Sequence, residues 1–175
     1  MRLPILSLLF LLAMAAPAAA DSLVYVKDGN LFSARPDGTD QRQLTQDGSP
    51  QDPYSSPSQA DDGSIVAIRG SRFHRFDRNG RSLGPPLDSL LTRKPAAIGA
   101  VGPFDARVSP DGSRIAYWLG IMGGYYDYAT LTYYTDPQSA VVYQSAADGT
   151  PLGQTMFYEE PSWLADSNAC SSGTR

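Results

Sequence analysis

Beyond an apolar opening run, the chain sustains no 3.6-residue hydrophobic period. It reads instead as short apolar or alternating strings separated by glycine-centred turns. Leu23–Lys27 and Asn30–Ala34 flank Asp28-Gly29 and predict a hairpin, with Gln41–Thr45 as a polar outer strand. Ser64–Ile68 and Arg72–Phe76 predict a second hairpin, and Leu87–Leu91 a further strand. Arg107–Leu119 predicts a third hairpin around Ser109-Pro110-Asp111-Gly112. Proline presets φ at the first central turn position there, and glycine takes the positive φ that a Cβ resists. After the turn, Ile115 and Tyr117 alternate with Ala116 and Trp118 in a run rich in strand formers. Ala140–Ser145 resumes the strand pattern. The proline-bearing stretches Gln46–Pro57, Gly84–Pro86 and Arg93–Pro103 are expected as connecting loops.

These units repeat. Asp62-Gly63-Ser64-Ile65-Val66-Ala67 echoes Asp111-Gly112-Ser113-Arg114-Ile115-Ala116 at an offset of 49 residues. Pro161-Ser162-Trp163-Leu164-Ala165-Asp166-Ser167 echoes the turn again 55 residues on, with Ser167 where glycine is expected. A second series interleaves: Pro36-Asp37-Gly38-Thr39, Arg78-Asn79-Gly80-Arg81 and Ala147-Asp148-Gly149-Thr150. A period of roughly 40–50 residues, with several strands and two glycine turns in each, is the mark of propeller blades.

At these residues the chain resembles the TolB-like branch of the WD-type β-propellers. That repeat has a Ser-Pro-Asp-Gly turn followed by an Ile-Ala-aromatic strand, a further strand ending at Asp-Gly, and a closing Leu-Thr pair. Here Asp37-Gly38 and Gln43-Leu44-Thr45 match the first repeat, and Ser109–Gly112 matches the turn in full. The second repeat departs from the pattern, with Gln59-Ala60-Asp61-Asp62-Gly63. The resemblance implies an all-β fold of roughly three four-stranded antiparallel blades in an incomplete ring. They are expected at about 21–53, 54–103 and 104–157, with the start of a fourth at 158–167 and a disordered tail at 168–175. It says little about activity, because propellers host many unrelated functions.

Met1-Arg2, the apolar run Leu3–Ala16 and Ala18-Ala19-Ala20 have the form of a secretory signal peptide over 1–20, cleaved near Ala20. The chain is therefore expected to be exported, periplasmic or secreted, without stable membrane insertion after cleavage. Its formal net charge is −4, and the leader holds one of the 14 basic residues and none of the 18 acidic ones. An acidic chain without a basic run is a poor match for nucleic acid. Cys170 is the only cysteine, which leaves no disulfide within one chain.

The third repeat carries an insertion from Gly120 to about Ser139 that concentrates half of the chain's ten tyrosines. Insertions in repeat arrays map to loops on one face, often the binding face. Tyrosine suits contacts because it buries a large ring at little rotamer cost and keeps a polar tip. Tyr125, Tyr126, Tyr128, Tyr133 and Tyr134 are accordingly the candidate interaction surface. The bland alternative is an elongated hairpin whose rings pair only across strands.

No constellation for catalysis emerges. Gly80-Arg81-Ser82-Leu83-Gly84 matches G-x-S-x-G, but a turn precedes it, Pro85-Pro86 follows it, and the only histidine, His74, lies upstream. His74 shares a strand face with Arg72 and Phe76 and reads as half-exposed packing. No zinc or EF-hand pattern occurs, and Asp61, Asp62, Asp127 and Asp136 read as turn formers. No cofactor is expected. The leading reading is a non-catalytic exported propeller segment that serves as a scaffold for a protein partner. Two others stay open: the propeller portion of a secreted peptidase-type hydrolase, and a glycan-binding module. An array stopped after three blades is also expected to self-associate through open blade edges.

Overall fold

A computed structural model describes residues 22–93, 100–156, 158–167 and 169–173. The expected signal peptide, 1–20, lies outside the described residues. The chain is nearly all β, and its strands form separate antiparallel sheets in chain order. The first holds β1 (Leu23–Lys27), β2 (Asn30–Ala34) and β3 (Arg42–Gln43). The second holds β4 (Tyr54–Gln59), β5 (Ile65–Arg69), β6 (Arg72–Phe76) and β7 (Leu87–Asp88), followed by the short helix α1 (Leu90–Arg93). The third holds β8 (Ala100–Val108), β9 (Arg114–Asp127), β10 (Thr132–Ser145) and β11 (Pro151–Met156). β12 (Tyr158–Trp163) pairs with β13 (Ala169–Gly173). These are propeller-like blades, and the described residues form no closed ring.

The sequence pattern explains the stacking. Ile65-Val66-Ala67-Ile68 is buried at four successive positions, so β5 has an apolar partner on both faces. Side chains alternate along a strand. Ile65, Ala67, Phe76 and Tyr54 pack with Leu31 and Leu44 of the first blade, backed by Val24 and Val26. Val66, Ile68, Phe73 and Leu87 pack with Ala106, Val108, Ile115, Tyr117, Leu119 and Val142 of the third. Burying each large side chain contributes about 1.5–3 kcal/mol. The two clusters are therefore seams between blades, and every core residue of the middle blade belongs to one of them.

Polar groups pin the same seams. The turn between the first two strands of a blade recurs with one geometry. Gly63, Gly112 and Ser167 each donate a backbone N–H, over 2.9 Å, to the carbonyl three residues back. Ser167 adopts the positive φ (62°) of the glycine it replaces. Neighbouring turns are linked: Asp61 N–H donates to the Pro110 carbonyl, and Asp111 N–H to Ser167 Oγ. Each seam also has an arginine reaching backbone carbonyls of the next blade. Arg42 donates to Arg78, Arg75 to Ala146 and Ala147, and Arg114 to Ser167. The Leu44-Thr45 pair has a physical role of its own. Leu44 fills the first seam, and Thr45 Oγ1 accepts the buried Leu31 N–H, completing a third strand only two residues long.

The structure corrects several expectations. Leu87–Leu91 is strand only to Asp88. Buried Ser89 then caps α1, accepting from Thr92 N–H on Oγ and from Thr92 and Arg93 N–H on its carbonyl. Two expected loops contain strand: β4 runs through Pro57 and β8 through Pro103. Both prolines sit where the register shifts, at Ser55/Ser58 and Val101/Phe104, and a bulge spares the ladder the missing N–H. The third blade consequently opens at Ala100. The expected tail holds β13, in register with β12 from Trp163↔Ala169 to Tyr158↔Gly173. Ala-Cys-Ser-Ser-Gly shows no apolar alternation, yet backbone pairing does not require one.

Gly38 and Gly80 occupy the same turn position in successive blades, at φ 81° and 82°. A Cβ on Gly38 meets nothing within 4 Å, whereas one on Gly80 runs into the Leu44 backbone across the first seam. Gly38→Ala is expected to cost about 1 kcal/mol of left-handed strain. Gly80→Ala is expected to cost about 1–3 kcal/mol more through overpacking. Urea unfolding of the two variants checks this, and equal losses would deny the close approach of the blades.

Candidate interaction surface

Antiparallel strands taken in chain order send alternate loops to opposite ends of the blades. The turns 60–63, 77–80, 109–112, 146–149 and 164–167 share one end. The other end holds Asp28-Gly29, the 46–53 loop, the Gly70 turn and the tip of the β9–β10 hairpin.

That hairpin is the outlier. The matching hairpin of the second blade has strands of five residues, while β9 and β10 have fourteen each. The strands flanking it stop short. β8 pairs with β9 only as far as Ala100↔Ile121, and β11 with β10 only as far as Met156↔Ala140. From Pro137↔Met122 to Thr132↔Asp127 the two strands pair with each other alone among the described residues. Six residue pairs make a ribbon about 20 Å long. The tip turns on Leu131 at positive φ (53°), and Asp127 Oδ1 accepts the Ala129 N–H. This local capping holds the Asp127 carboxyl below its ordinary range, the Ala129 N–H contributing most.

The expected insertion is therefore a continuous extension of two blade strands. Tyr126 stands opposite Tyr133, and Tyr125 opposite Tyr134, as backbone register partners. Tyr128 is at the tip, 82% exposed, beside Leu131 at 73%. The ribbon thus gathers all five candidate tyrosines. It also leaves two strand edges without a neighbouring strand among the described residues, and an isolated two-stranded hairpin is marginally stable on its own.

Beside the first seam, at the same end, lies a cluster that sequence spacing did not reveal. Arg69 donates to the carboxylates of Asp47 and Asp52 and to the Asp47 carbonyl, with its guanidinium 5.2 Å above the Tyr54 ring. The Tyr54 hydroxyl donates to Asp47, and His74 meets the Tyr54 ring edge-on at 5.5 Å while stacking on Phe76. Asp47 and Tyr54 come from the connecting loop and the strand after it, and Arg69 and His74 from β5 and β6. Only the fold brings them together. Burial, reinforced by the nearby Arg69 charge, pushes the His74 imidazole below its ordinary value. Its half-buried, ring-packed setting matches the packing role read from the strand pattern.

Of the other sequence candidates, Ser82 and Asp62 act in turns, whereas Asp136, expected as a turn former, lies within β10 opposite Gly123. The Ser82 hydroxyl donates to the Gly84 carbonyl, and Asp62 accepts the Ser64 N–H. Among the described residues no three His, Cys, Asp or Glu side chains gather where they would hold a metal ion. No helix among them is long and apolar enough to cross a membrane.

No protein-family model matches the sequence, and no curated relative matches it. By structure the chain is similar to an oligogalacturonate lyase from Vibrio parahaemolyticus. The TM-score is 0.56 at 13% identity, covering 88% of this chain and 43% of that one. A protein of unknown function from Bacteroides caccae aligns with a TM-score of 0.48 at 15% identity, covering 86% of this chain and 49% of that one. The chain spans less than half the length of these structures, and the likeness to the lyase is one of fold.

A histidine whose folded pKa lies below its unfolded value binds its proton less readily when folded. Stability is then fully present above the unfolded value near 6.5 and declines as pH falls through that value toward the folded one. Urea titrations between pH 7 and pH 5 should therefore show the chain losing stability. His74→Gln should flatten that loss, and parallel pH profiles for the two would contradict the seam-buried setting.

Proposed function

We propose that the chain is a non-catalytic, exported member of the TolB-like, WD-type propellers and acts as a protein-interaction scaffold. Its blades supply rigidity, and its β9–β10 ribbon supplies the contact. The observation that carries this reading is the ribbon itself. A blade needs about five residues per strand, and this hairpin runs well past the strands on either side. Stability of the seams does not require that extension. A tip presenting Tyr128 and Leu131, with tyrosines along both strands, has the composition of contact surfaces. The outer edge of β1, which no described strand pairs with, offers the same chain a route to self-association.

The likeness to a lyase named for an acidic oligosaccharide favours a second reading, in which the blades bind glycan or belong to a larger carbohydrate-active protein.

The test replaces Met122–Pro137 with Asn-Gly, a turn that closes the retained Ile121↔Gln138 pair. Blade stability should change by no more than about 0.5 kcal/mol. Proteins co-purifying with the chain from the exported fraction should be lost, and Tyr128→Ala with Leu131→Ala should weaken them. An unchanged set of partners would exclude the ribbon as the contact.

A further inference from the structure

The opposite end of the first seam carries a cleft with a different chemistry. Its volume is about 280 Å³, and it is lined by Ser22, Ser33, Ala34, Arg35, Asp40, Arg42, Gln59, Gly63 and Arg78. Three arginines thus open onto one space in a chain with a formal net charge of −4. What sets the cleft apart is convergence: Arg75, Arg93 and Arg114 also donate to backbone carbonyls, but no comparable group of three arginines shares a cleft elsewhere among the described residues. Arg69 and Arg72 are each neutralised by aspartates at 2.9 Å or less. The one ion pair in the cleft among the described residues is Arg35 with Asp40, at 3.6 Å between two largely exposed side chains. Among the described residues no carboxylate lies within 4 Å of the Arg42 or Arg78 guanidinium.

These two are nevertheless held in place. Arg42 Nη2 donates to the Arg78 carbonyl at 2.8 Å, and Arg78 Nη2 donates to the Asp62 carbonyl at 2.8 Å. Arg78 also lies against Gly63, where a Cβ would approach its side chain to 3.2 Å. Backbone carbonyls orient a guanidinium without cancelling its charge. Asp62 is the other nearby carboxylate: it caps the Ser64 N–H, and Arg78 adds to the lowering of its pKa. The cleft therefore keeps a net positive charge on pre-oriented forks, which suit oxyanions. Ser22, Ser33, Ala34 and Gln59 complete the wall. Ser22 Oγ donates to Gln59 Oε1 at 2.7 Å and Gln59 Nε2 to the Gly63 carbonyl, which leaves the Ser22 and Gln59 oxygens as acceptors for a ligand hydroxyl. Its volume exceeds what a bare inorganic anion fills.

We infer that this cleft binds a small polyhydroxy carboxylate of sugar-acid size. The carboxylate meets Arg35, Arg42 and Arg78, and the hydroxyls meet the serine and glutamine wall. Arg42 and Arg78 also fasten the seam, so replacing them confounds binding with folding. Among the described residues the Arg35 and Asp40 side chains pair with each other and make no hydrogen bond to the next blade, so they separate the two.

Calorimetric titration of the purified chain in low salt, with glucuronate, glucose and inorganic sulfate as probes, tests the assignment. Glucuronate should bind saturably and glucose should not. Arg35→Gln should weaken glucuronate about fivefold and Asp40→Asn should tighten it about twofold, both with unchanged melting temperature. No saturable glucuronate binding, equal binding of glucose, sulfate binding alone, or indifference to both substitutions would each overturn the assignment.

Discussion

The structure depends on one requirement: a blade in the middle of the stack must be apolar on both faces. β5 meets it most completely, with Ile65 and Ala67 turned to one neighbour and Val66 and Ile68 to the other. A sheet with a single buried face alternates apolar and polar positions; a strand caught between two sheets does not. The requirement spreads outward from there. β9 turns Ile115, Tyr117 and Leu119 to the middle blade. Tyr117 also reaches across the seam, accepting from the Leu90 N–H and donating to Gln144, so burial raises its pKa to about 12 without leaving the hydroxyl unpaired.

The seams then divide the molecule's chemistry. Hydrophobic burial holds blades together, but it is non-directional and fixes no exact stagger. Direction comes from the linked turns and from arginines donating to carbonyls of the next blade. At the first seam one of these arginines, Arg42, meets Arg35 and Arg78 around the positive cleft. At the other end the same seam is closed by the Asp47–Asp52–Arg69–Tyr54–His74 cluster, in which two carboxylates share one guanidinium. One interface thus presents two ends of different character, and the ribbon of the third blade projects at the same end as the carboxylate-bearing one.

Much of this was legible in the residues. Strands β1, β2 and β6 coincide with their predicted bounds, and the Ser109–Gly112 turn joins the expected hairpin, because glycine turns and alternation are local signals. Strands containing proline were hidden, since Pro57 and Pro103 sit at bulges that only the partner strand defines. β13 was hidden because Ala169–Gly173 carries no apolar alternation, the signal by which strands are read. The tyrosine-rich segment was located, and the elongated hairpin offered as its plainer reading is the one observed; composition alone does not separate it from an inserted loop. Both charge clusters were invisible: Asp47 and Arg69, or Arg35 and Arg78, are related by no spacing, only by blade stacking.

The central claim is that the seams hold the fold and the ribbon lies beyond them, within one pair of continuous strands. Native-state amide hydrogen exchange resolved along β9 tests it most directly. The amides from Ile115 to Leu119, in the seam, should exchange only through global unfolding. Those beyond Ile121 should exchange through local opening, at rates many-fold faster and insensitive to low denaturant. A step in protection near Ile121 is the predicted result. Uniform protection along the whole strand would contradict the account, because it would make the ribbon part of the folded core.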